Sequence, residues 1–283
     1  MTITADLPLS PSRLGAPRTG VAAPWRADRL KPLLPFVVPV AIVVVWQLAS
    51  SFGWISSRLM PAPVDVVRAF WDKALSGELL ADIEASAARA LAGLAVGGGI
   101  GFALGLANGM SKLSHALTDT TLQMIRTVPH LALIPLVIIW FGIGEEAKLF
   151  LTALGVFFPI YLNTSHGVRS VDPQLIEMGR VYGMNRWTLF RRVILPGALP
   201  SIFVGLRFSL GIMWLTLIIA ESMAASSGIG QMANNAREFM QTDVVVLALV
   251  IYALLGKLAD IVAKLLERAT LQWHPAYQKP AEG

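Results

Sequence analysis

Six stretches of this chain run for about twenty residues each with almost no charge, the length a helix needs to cross a hydrocarbon layer about 30 Å thick. They fall at roughly Leu33–Ser51, Ala88–Gly109, Thr120–Phe141, Ala147–Ser165 and Pro200–Ala220, with a sixth beginning near Val244 and losing apolar character after Gly256. Lipid offers no hydrogen bonds to a bare backbone, so segments of this length must fold as helices. Core helices of a large soluble protein are the alternative, and composition argues against them. Only 14% of the residues are charged, where a soluble domain carries about 25%. The expected fold is an all-α membrane protein with six transmembrane helices.

The net charge of +5 raises nucleic acid as a partner. The basic residues instead gather at the ends of the apolar spans, so membrane orientation explains them and no nucleic acid is expected. With both termini in the cytoplasm, fourteen Lys and Arg residues fall inside and five outside. Residues 1–31 are rich in Pro, Ser and Arg with no apolar stretch, and read as a disordered cytoplasmic tail without a cleavable signal peptide. Residues 32–270 form the membrane domain, and 271–283 a cytoplasmic C-terminal tail. The absence of cysteine excludes disulfides and thiol catalysis. The four histidines, 115, 130, 166 and 274, show no metal-ligand spacing, so neither a metal nor a cofactor is expected.

Several features inside the spans ask for a role. Gly93, Gly97, Gly101, Gly105 and Gly109 recur every four residues and strip bulk from one helical face, either for static packing or for a face that slides. Pro129 and Pro135 predict kinks in the third span, whether static or beside a pathway. His130, next to the first of them, reads as a pore residue or a packed histidine. Arg207 sits within an apolar run, where a charge costs several kcal/mol, and either attracts an anion or makes a structural hydrogen bond to nearby carbonyls or the Glu177-side loop. Glu221 ends the fifth span as a gate or a solvated terminus, and Asn163 near the end of the fourth is placed to line a mouth. Arg89 and Arg126, near span ends, can snorkel to the interface. Outside the spans, Val64–Leu80 reads as an amphipathic helix, and Glu221–Asp243 is a long connection with turn glycines at 228 and 230.

The most polar segment between spans is Glu177–Pro196, EMGRVYGMNRWTLFRRVILP. Five arginines between Arg169 and Arg192 alternate with apolar residues, as expected of short helices docked on a cytoplasmic partner. Pro173 starts one helix, Gly183 breaks it, Asn185 caps a second over Arg186–Leu195, and Pro196 ends that one before the next span.

These residues resemble the EAA motif of binding-protein-dependent ABC importer permeases. Glu177, Gly183, Val193, Leu195 and Pro196 match its spacing, while Met178, Gly179 and Val193 depart from its usual alanines and isoleucine. Beyond the motif, Pro35 to Tyr277 is similar to the aliphatic sulfonate permeases, relatives of the taurine and nitrate permeases. The similarity is carried by RTVPHLALIPLVIIWFGIGEEAKLF, LPGALPSIFVGLRFSLGIMWLTLIIAES and LERATLQWHPAY.

The resemblance implies a type I ABC importer permease (MetI-like) fold, acting as a homodimer in the bacterial cytoplasmic membrane. It implies cytoplasmic ATPase subunits docked through a coupling loop at about 170–196 by Glu177, Gly183, Leu195 and Pro196. It further implies a periplasmic or lipid-anchored binding protein delivering an alkanesulfonate. ATP belongs to the partner, because the chain has no GxxxxGK[ST] loop. Arg207, His130, Asn163 and Glu221 are the pathway candidates. The rivals are the same machinery carrying taurine, nitrate or another small anion, and an ion-coupled secondary transporter. The latter usually shows two related halves, and no clear repeat is present here.

Overall fold

The structure, a computed structural model, describes residues 34–56, 60–224 and 226–274. The N-terminal tail and all but the start of the C-terminal one lie outside the described residues. The chain divides into two compact units, Met1–Val45 and Trp46–Gly283. Helix α1 (Leu34–Ser51) begins in the first unit, with Pro39 inside it, and ends in the second. Among the described residues every regular element is helical.

In the second unit, α2 (Pro63–Leu75) precedes α3 (Glu78–Gly93), which passes through a π-helical turn at Leu94–Gly98 into α4 (Gly99–Met110). Then come α5 (Lys112–Thr127), a 3-10 turn at His130–Leu133, α6 (Ile134–Phe141) and α7 (Glu145–Arg169). Short helices α8 (Pro173–Val181) and α9 (Arg186–Leu189) lead through a second π-helical turn, Phe190–Ile194, into α10 (Leu195–Ala224). The chain ends in α11 (Ile229–Glu238) and α12 (Thr242–Thr270). Among the described residues four helices are long and apolar enough to span a membrane: Glu78–Met110, Glu145–Arg169, Arg186–Met223 and Thr242–Thr270. The pair Lys112–Thr127 and His130–Phe141 supplies a fifth if counted as one span, and Val37–Ser51 is apolar but shorter.

Helix α7 is the centre of the bundle, packed along α10 on one side and α4 on the other. The four-residue glycine stripe makes the second contact possible. A Cβ at Gly93 would sit 2.5 Å from Thr152 Cγ2, at Gly101 2.6 Å from Phe157 O, and at Gly105 2.8 Å from Tyr161 O. The face thus packs within the chain, backbone against backbone, as small residues allow in membranes. Val156, Ile160, Met213, Leu217 and Ala263 form the core between α7, α10 and α12. A second core of Val66, Leu79, Ile229, Met232 and Leu247 ties α2, α3 and α11 to the start of α12.

Two expectations about proline change, and Val64–Leu80 is not one helix but parts of α2 and α3. The third span is not a kinked helix but a broken one, bent by 80°. Val128, the residue before Pro129, is pushed out of the helical region to φ −72°, ψ 122°, and Pro129 itself is extended at ψ 108°. Pro135 then sits in the first turn of α6, where its missing N–H costs nothing. The second change is at Pro196, which does not end a helix. Arg186–Met223 runs through it without interruption. The wide turn at Phe190–Ile194 comes just before the proline and absorbs its missing donor.

Candidate functional site

The loop after α7 follows its predicted punctuation from Pro173 as far as Asn185. Asp172 caps α8 by accepting a hydrogen bond from Gln174 N at 2.8 Å, with Pro173 in the first turn. Gly183 closes α8 at φ +73°, and Met184 N donates to Gly179 O at 3.0 Å while Gly183 N donates to Arg180 O at 2.9 Å. That pair of bonds is a Schellman ending, and only glycine takes its left-handed position without strain. Asn185 caps α9 by accepting from Thr188 N at 2.8 Å.

Gly179, one of the departures from the motif, has a packing reason. A Cβ there would lie 2.6 Å from Leu189 Cδ1, so the glycine lets α9 close onto α8. The result is a compact knuckle whose outer face carries exposed Met178, Val181, Tyr182 and Trp187, with Val181 87% exposed. Glu177 and Gly183 are exposed beside them, and space around a Cβ at Gly183 is open. Leu195 and Pro196 are half-buried at the root of α10 and do not reach that face. An apolar patch of this kind marks a docking surface.

Within the bundle, a cavity of about 290 Å³ opens where the third span breaks, between its two halves, α7 and α10. His130 and Asn163 both line it, so the structure brings two of the pathway candidates together. His130 Nε2 lies 3.3 Å from Thr216 Oγ1. Asn163 Nδ2 donates to Pro159 O at 2.9 Å, and Gly205 gives Asn163 its room, since a Cβ there would sit 2.6 Å from Asn163 Cβ. Arg126, expected only to snorkel, also lines the cavity.

The other two candidates lie elsewhere and are occupied. Arg207 Nε donates to Asp260 Oδ1 at 3.1 Å and Arg207 Nη1 to Glu267 Oε2 at 3.5 Å. Asp260 is bridged in turn by Lys264 at 2.7 Å, the i,i+4 pairing that the α12 sequence suggests. Arg207 is therefore held by carboxylates across α10 and α12. Its structural partners are these two acids, not the carbonyls or the Glu177 loop.

Glu221 is neither solvated nor at a free terminus. Its side chain is fully buried and accepts from Ser86 Oγ at 2.8 Å, Arg89 Nη1 at 2.8 Å, Tyr252 Oη at 2.8 Å and Gly230 N at 3.0 Å. Arg89, 10% exposed, does not snorkel; it also pairs with Glu145 at 2.6 Å and donates to Ser227 O at 2.7 Å. Glu145 takes a second cation, Lys148, at 2.7 Å. Two cations and two carboxylates thus balance at one end of the bundle. They tie the strap between α10 and α11, where Gly228 N donates to Asp82 at 2.8 Å, down onto α3 and α7. The signal for this network was present in the sequence: Arg89, Glu145, Lys148 and Glu221 fall near the ends of adjacent spans, and a charge buried there needs an opposite one.

Residues 97–272 match the family model described as binding-protein-dependent transport system inner membrane component. The chain is 61% identical, over 86% of its length and 92% of the relative's, to SsuC of Escherichia coli (strain K12), provisionally named an aliphatic sulfonates transport permease protein. It is 45% identical, over 86% and 88%, to the protein of the same provisional name from Bacillus subtilis (strain 168). To TauC of Escherichia coli (strain K12), a taurine transport system permease protein, it is 34% identical over 90% and 94%.

Proposed function

As the chain belongs to the family of binding-protein-dependent transport system inner membrane components, we propose that it forms the membrane pathway of an ATP-driven importer of aliphatic sulfonates. The observation that carries the substrate is the 61% identity with the Escherichia coli relative so named. Taurine is the weaker reading, at 34%. The subunit is a permease and leaves ATP hydrolysis to a partner, in keeping with its lack of a phosphate loop. Two copies of the chain pair with two cytoplasmic ATPase subunits, and a periplasmic or lipid-anchored binding protein loads them from the opposite face. The chain crosses the inner membrane six times, with Leu33–Ser51 as the first crossing and both termini in the cytoplasm.

In this reading the α8–α9 knuckle seats in the ATPase. Glu177 and Gly183 contact it directly, and Leu195 and Pro196 carry its movement into α10. The exposed apolar side chains of the knuckle support that assignment, since nothing else among the described residues covers them. His130 and Asn163 line the pathway; Arg207 and Glu221 hold the helices around it. Closure of the ATPase pair on ATP would draw the knuckles together and turn the cavity outward.

The experiment has two arms. Affinity purification from native membranes should recover an ABC ATPase with the chain, and its absence would remove the coupling assignment. Deletion of the chain should abolish growth on alkanesulfonates as sole sulfur source. A deletion strain that loses only taurine or nitrate use would overturn the substrate and leave the architecture standing.

A further inference from the structure

Arg89, Arg126 and Arg207 lie within or near the ends of the apolar stretches, and their charges meet different fates. Arg89 is neutralised by Glu145 and Glu221, and Arg207 by Asp260 and Glu267. Arg126 makes no ion pair and no side-chain hydrogen bond among the described residues, yet it lines the cavity at the broken span. The carbonyls ending α5 offset about half a charge there, so a net positive charge remains at the cavity wall.

The rest of the lining has the complementary chemistry. Asn163 spends one amide N–H on Pro159 O, which leaves its second N–H and its own oxygen for a ligand. Apart from His130, whose Nε2 lies against Thr216 Oγ1, the remaining wall is apolar, with Phe158, Phe208, Leu154 and Leu162. No carboxylate lines it. At about 290 Å³ the cavity is near the lower bound of small-ligand pockets, about 300 Å³.

We propose that Arg126 is the anion-selecting residue of the transport pathway, holding the sulfonate group in this cavity while the alkyl chain lies on the phenylalanine and leucine wall. The inference rests on the proposed function. A sulfonate carries a permanent negative charge on three equivalent oxygens, and a guanidinium fork can donate to two of them at once. Asn163, in the lining of the same cavity, supplies a third donor. The ammonium of an aminoalkanesulfonate would find no carboxylate here, so the cavity favours plain alkanesulfonates over taurine.

The test uses the complete complex, with its ATPase and binding protein, reconstituted in proteoliposomes and supplied with hexanesulfonate. R126Q removes the charge, and N163D sets a carboxylate in the same cavity that repels the sulfonate. Each should lower uptake at sub-saturating hexanesulfonate about tenfold or more, the scale of one charge-assisted hydrogen bond. R126K, which keeps the charge and loses the fork, should fall between R126Q and wild type. Assembly is checked by co-purified ATPase. Either R126Q or N163D, once assembled, taking up hexanesulfonate at the wild-type rate overturns the inference and leaves the proposed function intact. A wild-type complex that takes up no hexanesulfonate overturns both.

Discussion

Replacing Glu221 with glutamine tests whether the buried charge network holds the bundle together. The change keeps the shape of the side chain and removes its charge. Two of the four groups that donate to the carboxylate, the Ser86 and Tyr252 hydroxyls, can rotate and accept instead. Arg89 Nη1 and Gly230 N cannot, because neither can accept a hydrogen bond. They bind different oxygens, Arg89 at Oε1 and Gly230 at Oε2, so either orientation of the amide sets its NH₂ against a fixed donor. Arg89 also keeps only Glu145 as a counter-charge, and that residue already serves Lys148.

Breaking a buried pair from one side costs about 3–5 kcal/mol. The residual pairing with Glu145 and the preserved shape put Glu221→Gln near the lower figure. A loss of about 3 kcal/mol lowers the melting temperature of a domain this large by about 6–12 °C. The assay is thermal unfolding of the purified chain in detergent, followed by size-exclusion recovery after heating. Glu84→Gln, an exposed carboxylate on α3, the helix that carries Ser86 and Arg89, is the control and should change stability by under about 0.5 kcal/mol. If Glu221→Gln melts together with that control, the network does not hold the strap, and the argument from burial is wrong.

Three further outcomes follow from the geometry. Tyr252→Phe removes one donor from Glu221 and should cost about 1–2 kcal/mol, read in the same melt as a smaller drop than Glu221→Gln. Gly101→Leu drives a side chain into Phe157 O, against which even a Cβ would sit at 2.6 Å, and should abolish accumulation of the chain in membranes on an immunoblot. Gly183→Val strains a backbone at φ +73° by about 1–2 kcal/mol but meets open space, so the chain should still accumulate while ATPase co-purification is lost.

What the sequence yields follows from how local each signal is. Helix caps and breakers act within a few residues, so Asp172, Gly183 and Asn185 could be read directly, and each has the expected partner or dihedral. The glycine stripe announced a close helix neighbour but not which one; that α7 fills it depends on contacts nearly sixty residues away in the chain. Pro129 and Pro196 are the same residue type with opposite outcomes, because one follows an extended valine and the other a widened turn that already lacks the bond. Arg89 and Glu221 pair across 132 residues, and no local pattern encodes that separation. Treating each charge by its own distance from a span end misassigned both. Treating charges at a shared depth as candidates for one another would have found the pair.

One helix joins the three features that matter to transport. Arg186–Met223 is continuous over 38 residues, about 57 Å at helical rise. Its first turn is α9, half of the exposed knuckle, its middle contributes Phe208 and Thr216 around the cavity, and Glu221 lies in its last turns. A break at Pro196 would have let the knuckle hinge without moving anything beyond it. Continuity through that proline means that a push on the knuckle displaces the cavity wall, unless the π-helical turn at Phe190–Ile194 yields first. The far end is fixed by the Arg89–Glu221 network, so the helix should pivot there and not translate. Loosening that anchor by Glu221→Gln should therefore uncouple ATP hydrolysis from uptake as well as lower stability. The ratio of ATP consumed to sulfonate imported in proteoliposomes should rise well above wild type. An unchanged ratio in folded, assembled Glu221→Gln would place the pivot elsewhere on α10.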